Sequence, residues 1–127
     1  MRLKDKINVI LIDDSKVFIE RMKVILSKFL SYHLLNTCSN GKELVESPYM
    51  RNADLIIMDI EMPGMNGVEF IKKAKVKYPD KKFYILTGYE ITYEIKQALD
   101  SGLINEYFSK PIEIVRMHRI IAEAVSS

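Results

Sequence analysis

Residues 55–67 read Leu55-Ile56-Ile57-Met58-Asp59-Ile60-Glu61-Met62-Pro63-Gly64-Met65-Asn66-Gly67, and this stretch decides the fold class. Four consecutive apolar residues before a loop with Pro and Gly are typical of a strand buried on both faces of a parallel sheet. Asp59 ends the apolar run. Open α/β sheets bind ligands at the carboxyl ends of their strands. Asp59 is therefore a candidate binding residue, although Asp is also an ordinary loop residue that can simply hydrogen-bond a turn.

Four further segments have the composition of strands, namely Ile7–Ile12, Tyr32–Cys38, Lys82–Thr87 and residues 105–109. Helical patterns of apolar residues separate and follow the strands. They comprise residues 16–30 after Ser15 as N-cap, residues 42–45 limited by Pro48, residues 67–77 with Val76 on the sheet side, and residues 91–101 stopped by Gly102. A last helix follows Lys110-Pro111, with Ile114, Met117, Ile121 and Val125 on one face. Five strands alternating with five helices predict βαβ units, a parallel sheet and a three-layer α/β/α sandwich.

Length and charge limit the class of protein. The 127 residues fit one domain, 1–127, and 19 basic against 17 acidic residues leave a net charge of +2 without a basic run, which gives no support to nucleic-acid binding. The single cysteine, Cys38, excludes an intramolecular disulfide. No apolar stretch approaches the roughly 20 residues of a membrane span. We expect a soluble, cytoplasmic protein with neither nucleic acid nor membrane as partner.

Polar side chains fall at the ends of four of the five predicted strands, namely Asp13 and Asp14, Asp59, Thr87, and Lys110. In a parallel sheet these ends share one edge, so the side chains converge. Three neighbouring carboxylates repel one another and imply a counter-cation. Mg²⁺, with Mn²⁺ as a substitute, prefers carboxylate, carbonyl and water oxygens. Lys110 and the Thr87 hydroxyl supply the charge and the donor that a phosphoryl group needs.

With these segments in place, the chain resembles the receiver domain of two-component response regulators, in the single-domain form known from chemotaxis. The resemblance covers nearly the whole chain and is carried by residues 9–15, 58–67, 86–88 and 107–111. Any one of these motifs is a weak signal, but together they are strong. The resemblance implies a flavodoxin-like fold whose sheet has the strand order 2-1-3-4-5.

The resemblance also implies roles for the acidic residues. Asp59 would accept a phosphoryl group from a sensor histidine kinase or a phosphotransfer protein. Mg²⁺ would be held by Asp14, Asp59 and the backbone carbonyl of Glu61, with Asp13 mostly outside direct contact. The protein would catalyse only its own phosphorylation and dephosphorylation, and would otherwise not be an enzyme.

Further implications concern the switch. Lys110 and Thr87 would contact the phosphoryl oxygens, and Thr87 and Tyr107 would move together on phosphorylation. This would alter the face made by the fourth helix, fifth strand and fifth helix for a downstream protein, in a monomer or a phosphorylation-dependent dimer. Tyr107 could equally be an ordinary strand aromatic. We also expect a cis Lys110–Pro111 bond, and a Tyr89 ring that slows hydrolysis of the phosphoryl group.

Three alternatives stay open on sequence alone. The chain could be a receiver excised from a longer transcriptional or enzymatic regulator, because no output domain follows Val125. A phosphohydrolase with an aspartyl nucleophile needs a second acid two residues on, which Glu61 only half fits. A flavodoxin-like cofactor protein needs a phosphate loop after the first strand, where Asp13 and Asp14 would instead repel a phosphate.

Overall fold

The computed structural model describes residues 7–13, 15–27, 32–38, 48–60, 66–88, 90–110 and 114–126. The strands are β1 (Ile7–Ile12), β2 (Tyr32–Cys38), β3 (Leu55–Asp59), β4 (Lys82–Thr87) and β5 (Glu106–Ser109). The helices are α1 (Lys16–Ser27), α2 (Pro48–Asn52), α3 (Gly67–Lys77), α4 (Tyr93–Asp100) and α5 (Ile114–Ser126). No helix in these ranges has the length and apolar character needed to cross a membrane.

The five strands form one parallel sheet in the order β2-β1-β3-β4-β5. The register sets Ile12 beside Met58, Asp59 beside Leu86, and Thr87 beside Ser109. The carboxyl ends of β1, β3, β4 and β5 therefore lie along one edge, which we call the carboxyl edge. The predicted parallel α/β fold and its strand order are confirmed.

Alternating side chains along the strands supply two separate cores. One face of the sheet packs on α2, α3 and α4 and includes Ile10, Ile12, Ile56, Met58, Phe83 and Ile85. The other face packs on α1 and α5 and includes Val9, Leu11, Leu55, Ile57, Tyr84 and Leu86. Because both faces are covered, the strands read as continuous apolar runs rather than as alternating patterns. The three-layer arrangement is the one predicted.

Side-chain caps fix where α3 and α4 begin. The Asn66 side chain accepts hydrogen bonds from the amides of Val68 and Glu69, each 3.1 Å away. The Thr92 hydroxyl accepts one from the Ile95 amide at 3.2 Å. These bonds satisfy amides that have no partner within the helix. After α4, Gly102 has a φ of 81°, which confirms the predicted helix stop.

One helix was not predicted, and one prediction about a helix is wrong. The unpredicted helix α2 begins at Pro48, where proline lacks only an amide hydrogen that the first helical turn leaves unused. Val76 is 87% exposed, since two residues along a helix from buried Ala74 place it on the opposite side. The predicted helix at residues 42–45 lies outside the described residues, as do Phe29 and Leu30 at the end of the first predicted helix.

Polar contacts also secure the opposite edge of the sheet, at the amino ends of β1 and β3. The Asp54 carboxylate accepts a hydrogen bond from the Asn8 amide at 2.7 Å. The Lys81 ammonium donates to the backbone carbonyls of Arg51 at 2.7 Å and Ala53 at 2.8 Å. These contacts tie α2 and the start of β3 to the sheet, far from the carboxyl edge.

Gly67 should be intolerant of a side chain. A Cβ there would overlap Cδ1 of Ile60 and lie 3.3 Å from its Cα, so the Ile60 side chain would have to turn away and its backbone move by a few tenths of an ångström. We expect Gly67→Ala to lower the free energy of unfolding by about 1–3 kcal/mol, the usual cost of overpacking. Gly88→Ala is the matched control, because a Cβ at Gly88 meets nothing within 4 Å. Urea unfolding measures both, and equal stabilities of the two variants would contradict this expectation.

Tyr84 should make the fold sensitive to alkali. Burial, with a smaller effect of the Glu106 charge, raises its pKa to about 12. In the unfolded chain a tyrosine ionises near pH 10, so stability present below that pH is lost as the pH rises toward 12. Two pKa units correspond to about 2–3 kcal/mol. The free energy of unfolding, measured in urea, should fall by about that amount between about pH 9 and 12 because of Tyr84. Tyr84→Phe should remove this part of the fall. Identical declines in parent and variant would show that Tyr84 does not contribute.

Candidate functional site

Buried acids end the two central strands at the carboxyl edge. Asp59 is the last residue of β3, and Asp13 follows β1 directly. They are only 5% and 3% exposed, and Thr87 at the end of neighbouring β4 is 1% exposed. Ionised carboxylates are costly to bury unless a cation or hydrogen-bond donors accompany them. The edge therefore needs a positive partner.

Lys110 supplies that partner. It follows β5, and its backbone amide donates to the Thr87 carbonyl at 2.8 Å, which fixes where its side chain leaves the sheet. Its Nζ lies 3.1 Å from Oδ2 of Asp13 and 3.1 Å from Oδ2 of Asp59. The Lys110 side chain is 25% exposed, so the ammonium sits between buried carboxylates and solvent. One ammonium thus bridges two acids that are 46 residues apart in sequence.

Burial and pairing act in opposite directions on this cluster. Burial raises the pKa of Asp13, although hydrogen bonds from the Ser15 amide and the Lys110 ammonium favour its charged form. Burial by itself lowers the pKa of Lys110, but its hydrogen bonds to Asp13 and Asp59 and their negative charges outweigh that effect and raise it overall. Lys110 therefore stays an ammonium at neutral pH.

The start of α1 connects to the same cluster. Oδ1 of Asp13 accepts a hydrogen bond from the Ser15 amide at 2.8 Å, and Oγ of Ser15 accepts one from the Phe18 amide at 3.2 Å, as the N-cap prediction expects. The Phe18 ring then lies over Lys110, with its centroid 4.1 Å from Nζ. The apolar pattern over residues 16–30 predicts a helix there but gives no sign of this contact.

Thr87 and Tyr107 lie on the adjacent strands β4 and β5. Thr87 is buried, and Tyr107 is partly buried against the core beneath α4. Arg116 of α5, to which the sequence assigned no role, holds this part of β5. Its guanidinium donates to the Tyr107 carbonyl at 2.8 Å, lies 3.3 Å from Oε1 of Glu106, and approaches the Tyr107 ring to 5.6 Å.

Several predicted site residues lie outside the described residues, namely Asp14, Glu61, Tyr89 and Pro111. The Lys110–Pro111 bond and the Tyr89 ring therefore stay predictions. Among the predicted metal ligands, the structure describes Asp13 and Asp59. Groups of three or more His, Cys, Asp or Glu that could hold a metal do not occur within the described part of the chain.

The donors that are described suit a hard cation. Asp13 and Asp59 both present carboxylate oxygens, the ligands that Mg²⁺ prefers, and a carboxylate can accept more bonds than the one each makes to Lys110. The residues present at this edge fit a magnesium ion.

A parallel sheet of this order, with a buried aspartate ending β3 and a lysine after β5 reaching it, defines a receiver-type α/β domain. The family model for the response regulator receiver domain matches residues 9–122, and the chain belongs to this family. Response regulator receiver domains are the phosphorylation-activated switches of two-component signalling. The family predicted from the sequence is confirmed.

Bacterial relatives agree with this assignment. The chain is 31% identical over 120 residues to the uncharacterized transcriptional regulatory protein YesN of Bacillus subtilis, a match of 91% of this chain and 32% of that protein. It is 35% identical over 112 residues to a protein-glutamate methylesterase/protein-glutamine glutaminase of Colwellia psychrerythraea, covering 85% of this chain and 29% of the relative. The chain thus spans about a third of the length of these two relatives.

Solved structures share the fold. The signal receiver domain of an HD-domain-containing protein from Pseudomonas fluorescens Pf-5 has a TM-score of 0.79 at 23% identity, with 95% of each chain covered. A response regulator receiver domain protein from Clostridium thermocellum has a TM-score of 0.76 at 22% identity, with 94% of each chain covered. At these identities the likeness bears on the fold alone.

Proposed function

We propose that Asp59 accepts the phosphoryl group, from a sensor histidine kinase or a phosphotransfer protein, and that the chain thereby switches a partner-binding face. The observation that carries this proposal is the Lys110 ammonium, 3.1 Å from both Asp59 and Asp13 at the carboxyl edge. A carboxylate at a strand end with an adjacent cation has the nucleophile and the charge partner that phosphoryl transfer needs.

In the proposed reaction an Asp59 oxygen attacks the phosphorus of the donor. A new oxygen–phosphorus bond forms while the bond from phosphorus to the leaving group breaks in line, and the leaving group takes that electron pair. Such transfer depends mainly on positioning and on neutralising the phosphoryl oxygens. Lys110 is placed for this, because a lysine has three donors that can turn from a carboxylate to a phosphoryl oxygen.

Asp59 and Asp14, with the backbone carbonyl of Glu61, are proposed to hold Mg²⁺, or Mn²⁺ in its place, with Asp13 beside the ion and mostly outside direct contact. The bound ion would supply further positive charge for the phosphoryl oxygens. Asp13 also anchors Ser15 at the start of α1, so this acid both serves the site and fixes the chain beside it.

The output is proposed to pass from Thr87 to Tyr107. A hydrogen bond from Thr87 to a phosphoryl oxygen would draw the threonine toward Asp59 and change the space beside the Tyr107 ring. The face made by α4, β5 and α5 would then bind a downstream protein or a second copy of the chain. Because Tyr107 is partly buried and is contacted by Arg116, its motion requires that contact to adjust.

The extent of the domain and the protein in which it acts are also proposed. Residues 1–127 form one receiver domain, which acts in the cytoplasm by direct binding or as the control domain of a longer regulator. The greater length of its relatives favours the second arrangement. In either case the receiver catalyses only its own phosphorylation and dephosphorylation.

Intact-mass measurement of the chain with acetyl phosphate tests this function. With Mg²⁺ we expect one added phosphoryl group, and with a chelator in its place we expect none. Absence of the phosphoryl group in Mg²⁺ would contradict the proposal. Sustained turnover of p-nitrophenyl phosphate would instead indicate a phosphohydrolase, and a yellow flavin spectrum a cofactor-binding protein.

A further inference from the structure

We propose that Phe18 is a positioning residue that holds the Lys110 ammonium over the phosphoacceptor, an inference that rests on the proposed role of Asp59. The ring centroid of Phe18 lies 4.1 Å from Nζ of Lys110, well within the distance at which an aromatic face attracts a cation. Phe18 is partly buried against the core between α1 and the sheet, which holds its ring in place.

The contact closes a ring of interactions around the site. Asp13 uses Oδ1 to receive the Ser15 amide and Oδ2 to receive the Lys110 ammonium. Ser15 in turn caps the Phe18 amide, and the Phe18 side chain returns to the same ammonium. The acid that pairs with Lys110 thus also fixes the helix turn that carries its aromatic partner. Asp13, which pairs with the Lys110 ammonium, therefore also helps to fix the position of the Phe18 ring.

An aromatic ring positions a lysine without using its hydrogen bonds. A lysine side chain has a flexible four-carbon stem, and holding it in one place costs conformational entropy. A polar side chain at position 18 would take one of the three ammonium donors, two of which already reach Asp13 and Asp59. The Phe18 face limits where the ammonium can go and leaves all its N–H groups for oxygens. Lys110 can then turn from a carboxylate to an arriving phosphoryl oxygen while staying over the ring.

Loss of the Phe18 ring should therefore lower the rate of phosphoryl transfer, with little effect on the stability of the fold. With acetyl phosphate, an Asp59 oxygen bonds to phosphorus while the phosphorus–oxygen bond to the acetyl group breaks, and acetate leaves with the electron pair. For Phe18→Leu, which keeps an apolar side chain, we expect the rate constant at saturating acetyl phosphate and Mg²⁺ to fall about fivefold. That change equals about 1 kcal/mol in the barrier. Phe18→Tyr keeps the ring and should retain the parent rate within about twofold.

The decisive experiment introduces phenylalanines with one, two and three ring fluorines at position 18 of the whole chain. Fluorine withdraws electrons from the ring face with little change of shape, so it weakens attraction for a cation without removing apolar packing. We expect the rate constant to fall stepwise with each fluorine while the melting temperature stays constant. Ile25→Leu is the matched control on α1, because Ile25 packs against the same core. This control should leave the rate unchanged.

The same fluorine series in the Lys110→Met variant tests whether the ring changes the phosphorylation rate through Lys110. In Lys110→Met the fluorine series should be flat, because no ammonium is present for the ring to hold. A flat series in a parent protein that does become phosphorylated would overturn the role of Phe18 alone. A parent protein that takes up no phosphoryl group would overturn both this role and the proposed function. If Phe18→Leu fails to fold, the fluorinated chains still decide the question.

Discussion

Asp59→Asn is expected to lower the rate of phosphorylation by acetyl phosphate and Mg²⁺ by roughly 1000-fold or more, as removal of a reacting nucleophile typically does. The amide has nearly the same shape as the carboxylate, so the end of β3 should stay in register. Its oxygen carries no full negative charge and cannot form a stable acyl phosphate. The measurement is the mass of the acid-quenched protein over time.

Asp54→Asn is the matched control, since Asp54 precedes β3 on the opposite edge of the sheet. Its carboxylate accepts a hydrogen bond from the Asn8 amide, which serves the fold and not the carboxyl edge. We expect this variant to be phosphorylated at the parent rate. Phosphorylation of Asp59→Asn at the parent rate would show that another residue is the acceptor.

Lys110→Met should give the second largest effect, a fall of roughly 100-fold in the same rate constant, comparable to loss of one charge-stabilising donor in an enzyme. Methionine preserves much of the apolar stem but removes the ammonium that lies 3.1 Å from Asp59. The phosphoryl oxygens then lose the ammonium that would neutralise their negative charge during transfer.

Lys81→Met provides the comparison. The Lys81 ammonium donates to the backbone carbonyls of Arg51 and Ala53 at the amino edge, so its removal should lower stability without slowing phosphoryl transfer. A Lys110→Met rate within about threefold of the parent would mean that Lys110 is not a charge partner of the phosphoryl group.

The sequence predicted the sheet well because its information is local. Uninterrupted apolar runs, such as the one before Asp59, mark strands covered on both faces, and polar residues at their ends mark the carboxyl edge. The bounds of β1, β2 and β4 agree with the prediction. Parallel pairing then brings Asp13 and Asp59 to one place, whatever loops join the strands.

The sequence did not predict the contacts that depend on how helices and strands pack together. Phe18 lies over Lys110 although 92 residues separate them, and its spacing in α1 indicates only an apolar side. Arg116 likewise reaches the Tyr107 carbonyl from α5, a geometry set by how helix and strand pack. Val76 was misplaced because an apolar residue type predicts burial only when its helical phase agrees.

Mapping the phosphoryl site by chemical reduction would test the proposed role of Asp59 most directly. Borohydride reduces an aspartyl phosphate to homoserine, which marks the acceptor permanently in a peptide map. After treatment with acetyl phosphate and Mg²⁺, we expect homoserine at position 59 and at no other position. Homoserine at a different aspartate, or a phosphoryl group that resists borohydride, would contradict the assignment of Asp59 as the phosphoacceptor.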